Sequence, residues 1–242
     1  MIKVDNIVKY YGEHLALKDV SYTINKGEIV GFLGPNGAGK STMMRIITGY
    51  LPATSGYVYL DDYEIYDNPI ELKRRIGYMP ENISLYTEMT VLDYLKFAAK
   101  LKGIERKHIK NALENTIEIT GLTKYKDRII GHLSKGYKQR TGIAQAIIHD
   151  PEVLILDEPT SGLDPNQLIE VRSLIKSLGG TRTVILSTHI LSEVEDTCER
   201  ALIIDNGELI AEDTIEGLKT AMDREILGGN IELKVAGKVE DA

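Results

Sequence analysis

The sequence predicts an α/β fold: a mixed sheet with an antiparallel β edge and a helical subdomain set into it. Three observations carry that expectation. The first residues show partial period-2 alternation, residues 85 to 150 carry apolar positions at helical spacing, and strand-helix alternation resumes after Pro151.

Taken in order, Ile2 to Val8 and Lys18 to Ile24 read as exposed-edge antiparallel strands, the second with Val20, Tyr22 and Ile24 on one face. Lys26-Gly27-Glu28 turns the chain into Ile29 to Leu33, a short apolar run suited to a strand buried on both faces. A helix is expected from about Lys40. Tyr57 to Ile65 reads as more sheet edge, and a helix follows from Pro69, a residue favoured at the first helical position. Thr90-Val91-Leu92-Asp93 resembles a capping box for a helix that runs to Gly103. A second helix is expected from about Arg106 to Thr120, with Ile109, Ala112, Leu113, Thr116 and Ile117 on one face and Gly121 as its stop.

After Pro151 come a strand at Val153 to Leu156, a helix carrying Leu168, Val171, Leu174, Ile175 and Leu178, a strand at Thr183 to Ser187, a short helix, and a strand at Ala201 to Ile204. Asn206-Gly207 is a two-residue hairpin signal, so the sheet is expected to close with an antiparallel strand. Residues 1 to 221 are expected to form one unit. Residues 222 to 242, with Ile231, Leu233 and Val235 alternating, read as a tail or the start of a small extra β unit.

Composition narrows the partners. With 242 residues, 43% of them hydrophobic, the chain is long enough to bury a sizeable core. Its 29 basic and 36 acidic residues give a formal charge of -7, which offers no basic field for holding nucleic acid. The single Cys198 cannot form an internal disulfide, and a reducing cytosol fits. No stretch approaches the roughly 20 apolar residues needed to cross a bilayer, and Met1-Ile2-Lys3-Val4-Asp5 lacks a signal-peptide core.

Gly34-Pro35-Asn36-Gly37-Ala38-Gly39-Lys40-Ser41-Thr42 matches G-x-x-x-x-G-K-[ST] between a buried strand and a helix start. Such a loop turns successive backbone N–H groups toward phosphate oxygens. The helix dipole adds positive potential, Lys40 spans the terminal phosphates and the Ser41 hydroxyl can ligate Mg²⁺. This predicts a phosphate-loop NTPase core that binds ATP with Mg²⁺. Downstream, Val153 to Leu156 leads into Asp157-Glu158, an apolar strand ending in two carboxylates at the sheet end where ligands collect. Asp157 is expected to hold Mg²⁺, and Glu158 to orient and deprotonate the attacking water. Taken alone, the pair also fits a solvated loop start. His189 directly follows the next strand and Thr188, placed to meet the γ-phosphate, although a lone histidine is more often structural.

Leu133-Ser134-Lys135-Gly136-Tyr137, standing before the acidic strand, resembles the signature of ABC-transporter nucleotide-binding domains. The ordered motifs cover Ile2 to about Lys219. That resemblance implies an ATP-binding core, a helical arm at about residues 85 to 150, and subunits that dimerise head to tail with a second copy or a homologous ATPase. Ser134 and Gly136 would then cover the γ-phosphate held by the partner. Ser134 is equally placed to cap the helix carrying Ile143 and Ile147. By the same resemblance Tyr11, just before Gly12, stacks on adenine, although it also fits ordinary packing. Ser161-Gly162-Leu163-Asp164 links the two sites, and Asp164 alternatively caps the helix before Pro165.

Three departures from the family pattern stand out. Glu81, in Tyr78-Met79-Pro80-Glu81, replaces the usual glutamine and can still ligate Mg²⁺; Lys135 replaces glycine and is expected to point to solvent; Tyr137 replaces glutamine. This pattern, with Gly-Leu-Asp-Pro-Asn at 162 to 166, is similar to the branch that exports drugs, polysaccharides or lipids or serves gliding motility. The resemblance implies ATP hydrolysis that energises a separate membrane permease from the cytoplasmic face of the membrane, with the contact near Glu81 and Asn82 to Glu88. The competing reading is a soluble ABC-type ATPase acting in translation or DNA repair. Such proteins usually carry two fused copies or a long coiled-coil insertion, and the segment between Lys40 and Leu133 has no room for one.

Overall fold

The computed structural model describes residues 1–67 and 69–220. Its first half contains β1 (Ile2–Tyr11), β2 (His14–Ile24), β3 (Ile29–Leu33), α1 (Lys40–Ile47), β4 (Ser55–Leu60), β5 (Tyr63–Glu64), α2 (Pro69–Arg75) and β6 (Ile76–Met79). The second half contains α3 (Val91–Leu101), α4 (Ile109–Ile119), α5 (Lys135–Ile147), β7 (Val153–Asp157), α6 (Pro165–Leu178), β8 (Thr183–Thr188), α7 (Leu191–Thr197), β9 (Arg200–Asp205) and β10 (Glu208–Thr214).

The strands form two sheets. The smaller is antiparallel, in the order β2-β1-β4-β5, so β1 lies inside its sheet and not at an edge as expected. Its alternation is only partial because the register shifts between Val4 and Ile7, where Asn6 takes φ +51°. The larger sheet runs β10-β9-β3-β8-β7-β6 and is parallel except for β10. Strand β6 escapes the sequence reading because four residues, one of them glycine, give too little pattern to separate from a loop. The Asn206-Gly207 hairpin forms as expected, both residues at positive φ as the tight turn requires.

Apolar burial divides into three clusters. One lies between the two sheets around α1, with Phe32, Met43, Met44 and Ile46 fully buried. A second covers the opposite face of the parallel sheet with Ile143, Ile147, Val171, Ile175 and Val194. The third draws only on residues between 85 and 148 and joins α3, α4 and α5. Helix α5 belongs to both of the last two, through Ile143 and Ile147 on one side and Ala144, with Ile148 just past its end, on the other, so it ties the helical part to the sheet.

Local signals explain the helix ends. Thr90 Oγ1 accepts from the Asp93 N–H at 3.1 Å, and Gly103 takes φ +78° just past α3. Helix α4 begins at Ile109, later than expected, because the preceding residues close a turn through His108 N–H to the Glu105 carbonyl. Among the described residues no helix is long and apolar enough to cross a membrane. The alternating Ile231, Leu233 and Val235 fall outside the described residues.

Candidate nucleotide site

Parallel pairing brings four distant segments to one edge. Strands β3, β8, β7 and β6 are consecutive neighbours, with Leu33 opposite Thr188, Asp157 opposite Ser187 and Met79 opposite Leu156. The loops leaving their C-terminal ends carry Gly34 to Thr42, His189, Glu158 and Glu81. In open α/β sheets this edge is where ligands bind.

The phosphate loop keeps its shape through its glycines. Gly39 sits at φ +107°, and a side chain there would meet Leu17 Cδ2 at 2.8 Å and the Ala16 carbonyl at 2.9 Å. The turn is closed by Ala38 N–H to the Pro35 carbonyl, and the Gly207 N–H holds the Ala38 carbonyl at 3.0 Å. Gly39 has no side chain to cap α1, which leaves the first amides of that helix free to bind an anion.

Lys40 is buried. Its Nζ donates to the carbonyls of Gly34 at 2.7 Å and Pro35 at 3.1 Å, and lies 3.5 Å from Glu158 Oε1. Glu158 holds φ +49°, an uncommon conformation for a non-glycine residue, and its N–H donates to the Ser187 carbonyl. On its other side His189 Nδ1 stands 3.0 Å from Oε2 and 3.1 Å from Oε1. Asp157 is 1% exposed and accepts from Ser187 Oγ at 2.5 Å.

A pocket of about 390 Å³ is lined by Tyr11, His14, Asn36, Gly37, Gly39, Lys40, Ser41, Thr42, Glu81 and Glu158, among others. Tyr11 is exposed, with Lys9 Nζ 5.4 Å from its ring centre. The pocket therefore unites the phosphate loop, the aromatic, the acidic strand end and Glu81. A larger cavity of about 1170 Å³ lies between α3 and α4 and is lined by none of the expected site residues.

The fold, the loop and the pocket invite comparison with known proteins. A sequence model of the family described as ABC transporter matches residues 17–161, more than half of the chain. The chain belongs to the ABC transporter family. As an ABC chain it binds and hydrolyses ATP, and it is similar to several named proteins. The bacitracin transport ATP-binding protein BcrA of Bacillus licheniformis is 41% identical over 221 residues, covering 90% of this chain and 71% of that protein. The ABC transporter ATP-binding protein NatA of Bacillus subtilis is 39% identical over 205 residues, with 84% and 83% coverage. Among solved structures, the dimeric post-hydrolysis state of an ATP-binding cassette bound to ADP and Pi superposes with a TM-score of 0.79 at 28% identity, covering 89% of this chain and 99% of that one.

Within this ABC fold, Ser134, Gly136 and Asp164 stand apart from the pocket lining. Ser134 occupies the N-cap position of α5 but makes no capping hydrogen bond. Asp164 does cap α6, its Oδ1 accepting from the Gln167 N–H at 2.9 Å. Lys135 is exposed, yet it does not simply run into solvent: its Nζ lies over Gly162, where any side chain would collide with it. Tyr137 stacks on Tyr125 with ring centres 3.8 Å apart.

Sequence reasoning missed Glu193. This carboxylate on α7 is 1% exposed and accepts from Thr160 Oγ1 and Thr188 Oγ1, each at 2.6 Å. It thereby fastens the loop after Glu158 to the end of β8, just before His189. No spacing rule distinguishes it from Glu195 and Asp196 in the same acidic helix.

Proposed function

We propose that this ATPase subunit closes head to tail on a second copy of itself or a homologous ATPase, with two ATP between them, and so drives a separate membrane permease from the cytoplasmic face of the membrane. The observation that carries the reading is that Ser134, whose hydroxyl makes no capping hydrogen bond, and Gly136 stand apart from the pocket that gathers Tyr11, the phosphate loop, Glu81 and Glu158. In the dimer that hydroxyl and the Gly136 amide meet the γ-phosphate held by the partner subunit, and Asp164 links the two sites.

Within one subunit, the amides of Gly34 to Thr42 and the Lys40 ammonium bind the triphosphate, and Tyr11 stacks on adenine. Lys40 exchanges its loop-carbonyl acceptors for phosphate oxygens. Glu158 takes a proton from water as the water oxygen attacks the γ-phosphorus and the bond to the bridging oxygen breaks, releasing ADP. His189 holds Glu158 through Nδ1, which must carry the hydrogen because an ionised carboxylate only accepts.

Among the described residues no group of three His, Cys, Asp or Glu side chains stands ready for a metal. Mg²⁺ is commonly held by one or two carboxylates plus substrate phosphates, which the hard oxygens of Asp157, Glu81 and Ser41 fit. Bound there, it would neutralise charge on the phosphate oxygens.

An exposed aromatic within Asn82 to Glu88 supports a permease contact there. Tyr86 is 52% exposed and packs on Phe97 and Tyr94, while Tyr50, 73% exposed, packs on Tyr78. Large aromatic surface of this kind is enriched at protein interfaces. BcrA is named for bacitracin transport and a further relative, LnrL of Bacillus subtilis, for linearmycin resistance, which favours export as the direction here.

The test is ATP-driven dimerisation of Glu158→Gln followed by sedimentation. The variant should dimerise with ATP, and adding Ser134→Arg should abolish the dimer while leaving ATP binding to the single subunit intact. Unimpaired dimerisation of the double variant would count against the trans assignment.

A further inference from the structure

Gln167 lies in none of the segments singled out by the sequence, yet its side chain reaches from α6 to the first turn of α5. Its Oε1 accepts from the Gly136 N–H at 3.1 Å. Its aliphatic part lies so close to the Gly136 Cα that a side chain there would meet Gln167 Cγ at 3.0 Å. The Gln167 N–H in turn donates to Asp164. Two hydrogen bonds thus connect Gly136 through Gln167 to Asp164, and the Lys135 ammonium lies over Gly162 between the same two segments.

The arrangement is unusual for a helix start. A serine at the N-cap position normally accepts from the second or third amide of its helix, and Gly136 is the second residue of α5. Ser134 makes no such bond, and the glutamine of a neighbouring helix takes the amide instead. Gly136 is buried, and Gln167 covers its N–H. A single N–H has one direction of strong donation, so a second acceptor must displace the first.

We infer that Gln167 is a positioning residue that caps the Gly136 amide within its own subunit and is displaced when the γ-phosphate on the partner subunit takes the same donor; this rests on the trans reading above. The exchange replaces a neutral amide oxygen by an ionised phosphate oxygen, the stronger acceptor. Closure therefore proceeds, but its free energy is reduced by the bond that is given up. Gln167 sets how much ATP the subunit needs before it dimerises.

The test titrates ATP against the full chain carrying Glu158→Gln and reads the dimerisation midpoint by sedimentation velocity. Gln167→Leu keeps the size of the side chain and removes the acceptor. It should lower the midpoint roughly two- to tenfold, the range spanned by one net hydrogen bond. Gln167→Glu strengthens the acceptor and places a negative charge near the incoming phosphate, so the midpoint should rise. In a Ser134→Arg background all three chains should bind ATP equally, which confines the effect to closure. A residue with only a structural role would, on loss, weaken dimerisation; a Gln167→Leu midpoint equal to or above the parent overturns the inference. If Glu158→Gln itself fails to dimerise, the trans reading falls and takes this inference with it, a result distinct from an unmoved midpoint.

Discussion

Glu158 and His189 face one another across 3.0 Å, the carboxylate at the end of β7 and the imidazole at the end of β8, while Lys40 approaches the same carboxylate from β3 and α1. The Glu158 carboxylate is thus held between two partners, one at the start of α1 and one just past β8. The carboxylate proposed as general base is oriented before any water arrives.

Glu158→Gln removes the proton acceptor and keeps the shape. Steady-state phosphate release should fall by about 10² to 10⁴, the usual contribution of a positioned general base, with ATP affinity retained. His189→Ala removes only the orienting bond, so kcat should fall roughly 10- to 100-fold, as loss of a hydrogen bond to a charged group implies, with little change in KM. Turnover of Glu158→Gln at the parental rate would falsify the general-base role.

Glu193→Ala leaves two buried threonine hydroxyls without their carboxylate acceptor and takes the second, 3.7 Å carboxylate from Arg172, which keeps Asp196 at 2.7 Å. Urea unfolding should show a loss of roughly 2–4 kcal/mol, the scale for removing one partner from a buried charged network. Glu193→Gln, which still offers an acceptor, should lose less. Equal stability of the alanine variant and the parent would show that Glu193 does not fasten the loop after Glu158 to β8.

Glu81→Gln exchanges the pocket-lining carboxylate proposed as a metal ligand for an amide. A carboxylate attracts Mg²⁺ and, when metal is scarce, repels the phosphates. The parent should therefore show the steeper Mg²⁺ dependence of ATP turnover. Coincident Mg²⁺ titration midpoints for the two proteins would remove Glu81 from the metal site.

His149 gives an acid-sensitive contribution to stability. Burial is the main cause that lowers its pKa to about 4, helped by the nearby Lys102 charge and opposed by its bond to the Ile76 carbonyl. A depressed histidine pKa means that the unfolded chain takes up the proton first. Stability contributed by the neutral ring is complete above the unfolded value near 6.5 and is lost as pH falls toward about 4. Denaturant unfolding at pH 7, 5.5 and 4.5 should show a smaller acid loss for His149→Gln than for the parent; parallel losses would show that another group titrates there.

Much of the fold was legible in the residues themselves. The apolar runs at Ile29 to Leu33 and Val153 to Leu156, the Thr90 cap, the Gly103 stop and the Asn206-Gly207 hairpin are local, and each forms where the sequence places it. The phosphate loop was legible for the same reason: its glycines and lysine act within nine consecutive residues. Strand β6 and the interior position of β1 were not, because pairing with β7 and β4 decides them.

Sequence alone determined the chemical groups: the amide-rich loop with its ammonium, the strand that ends in Asp157-Glu158, and the family to which these belong. Only tertiary structure decided which groups meet. The β3-β8-β7-β6 order sets Lys40, Glu158 and His189 side by side, Glu193 ties the loop after Glu158 to the end of β8, and Gln167 occupies the Gly136 amide from another helix. Local pattern reflects backbone geometry over a few residues, whereas a hydrogen bond between distant side chains depends on how the sheets and helices pack, and no spacing rule carries that information.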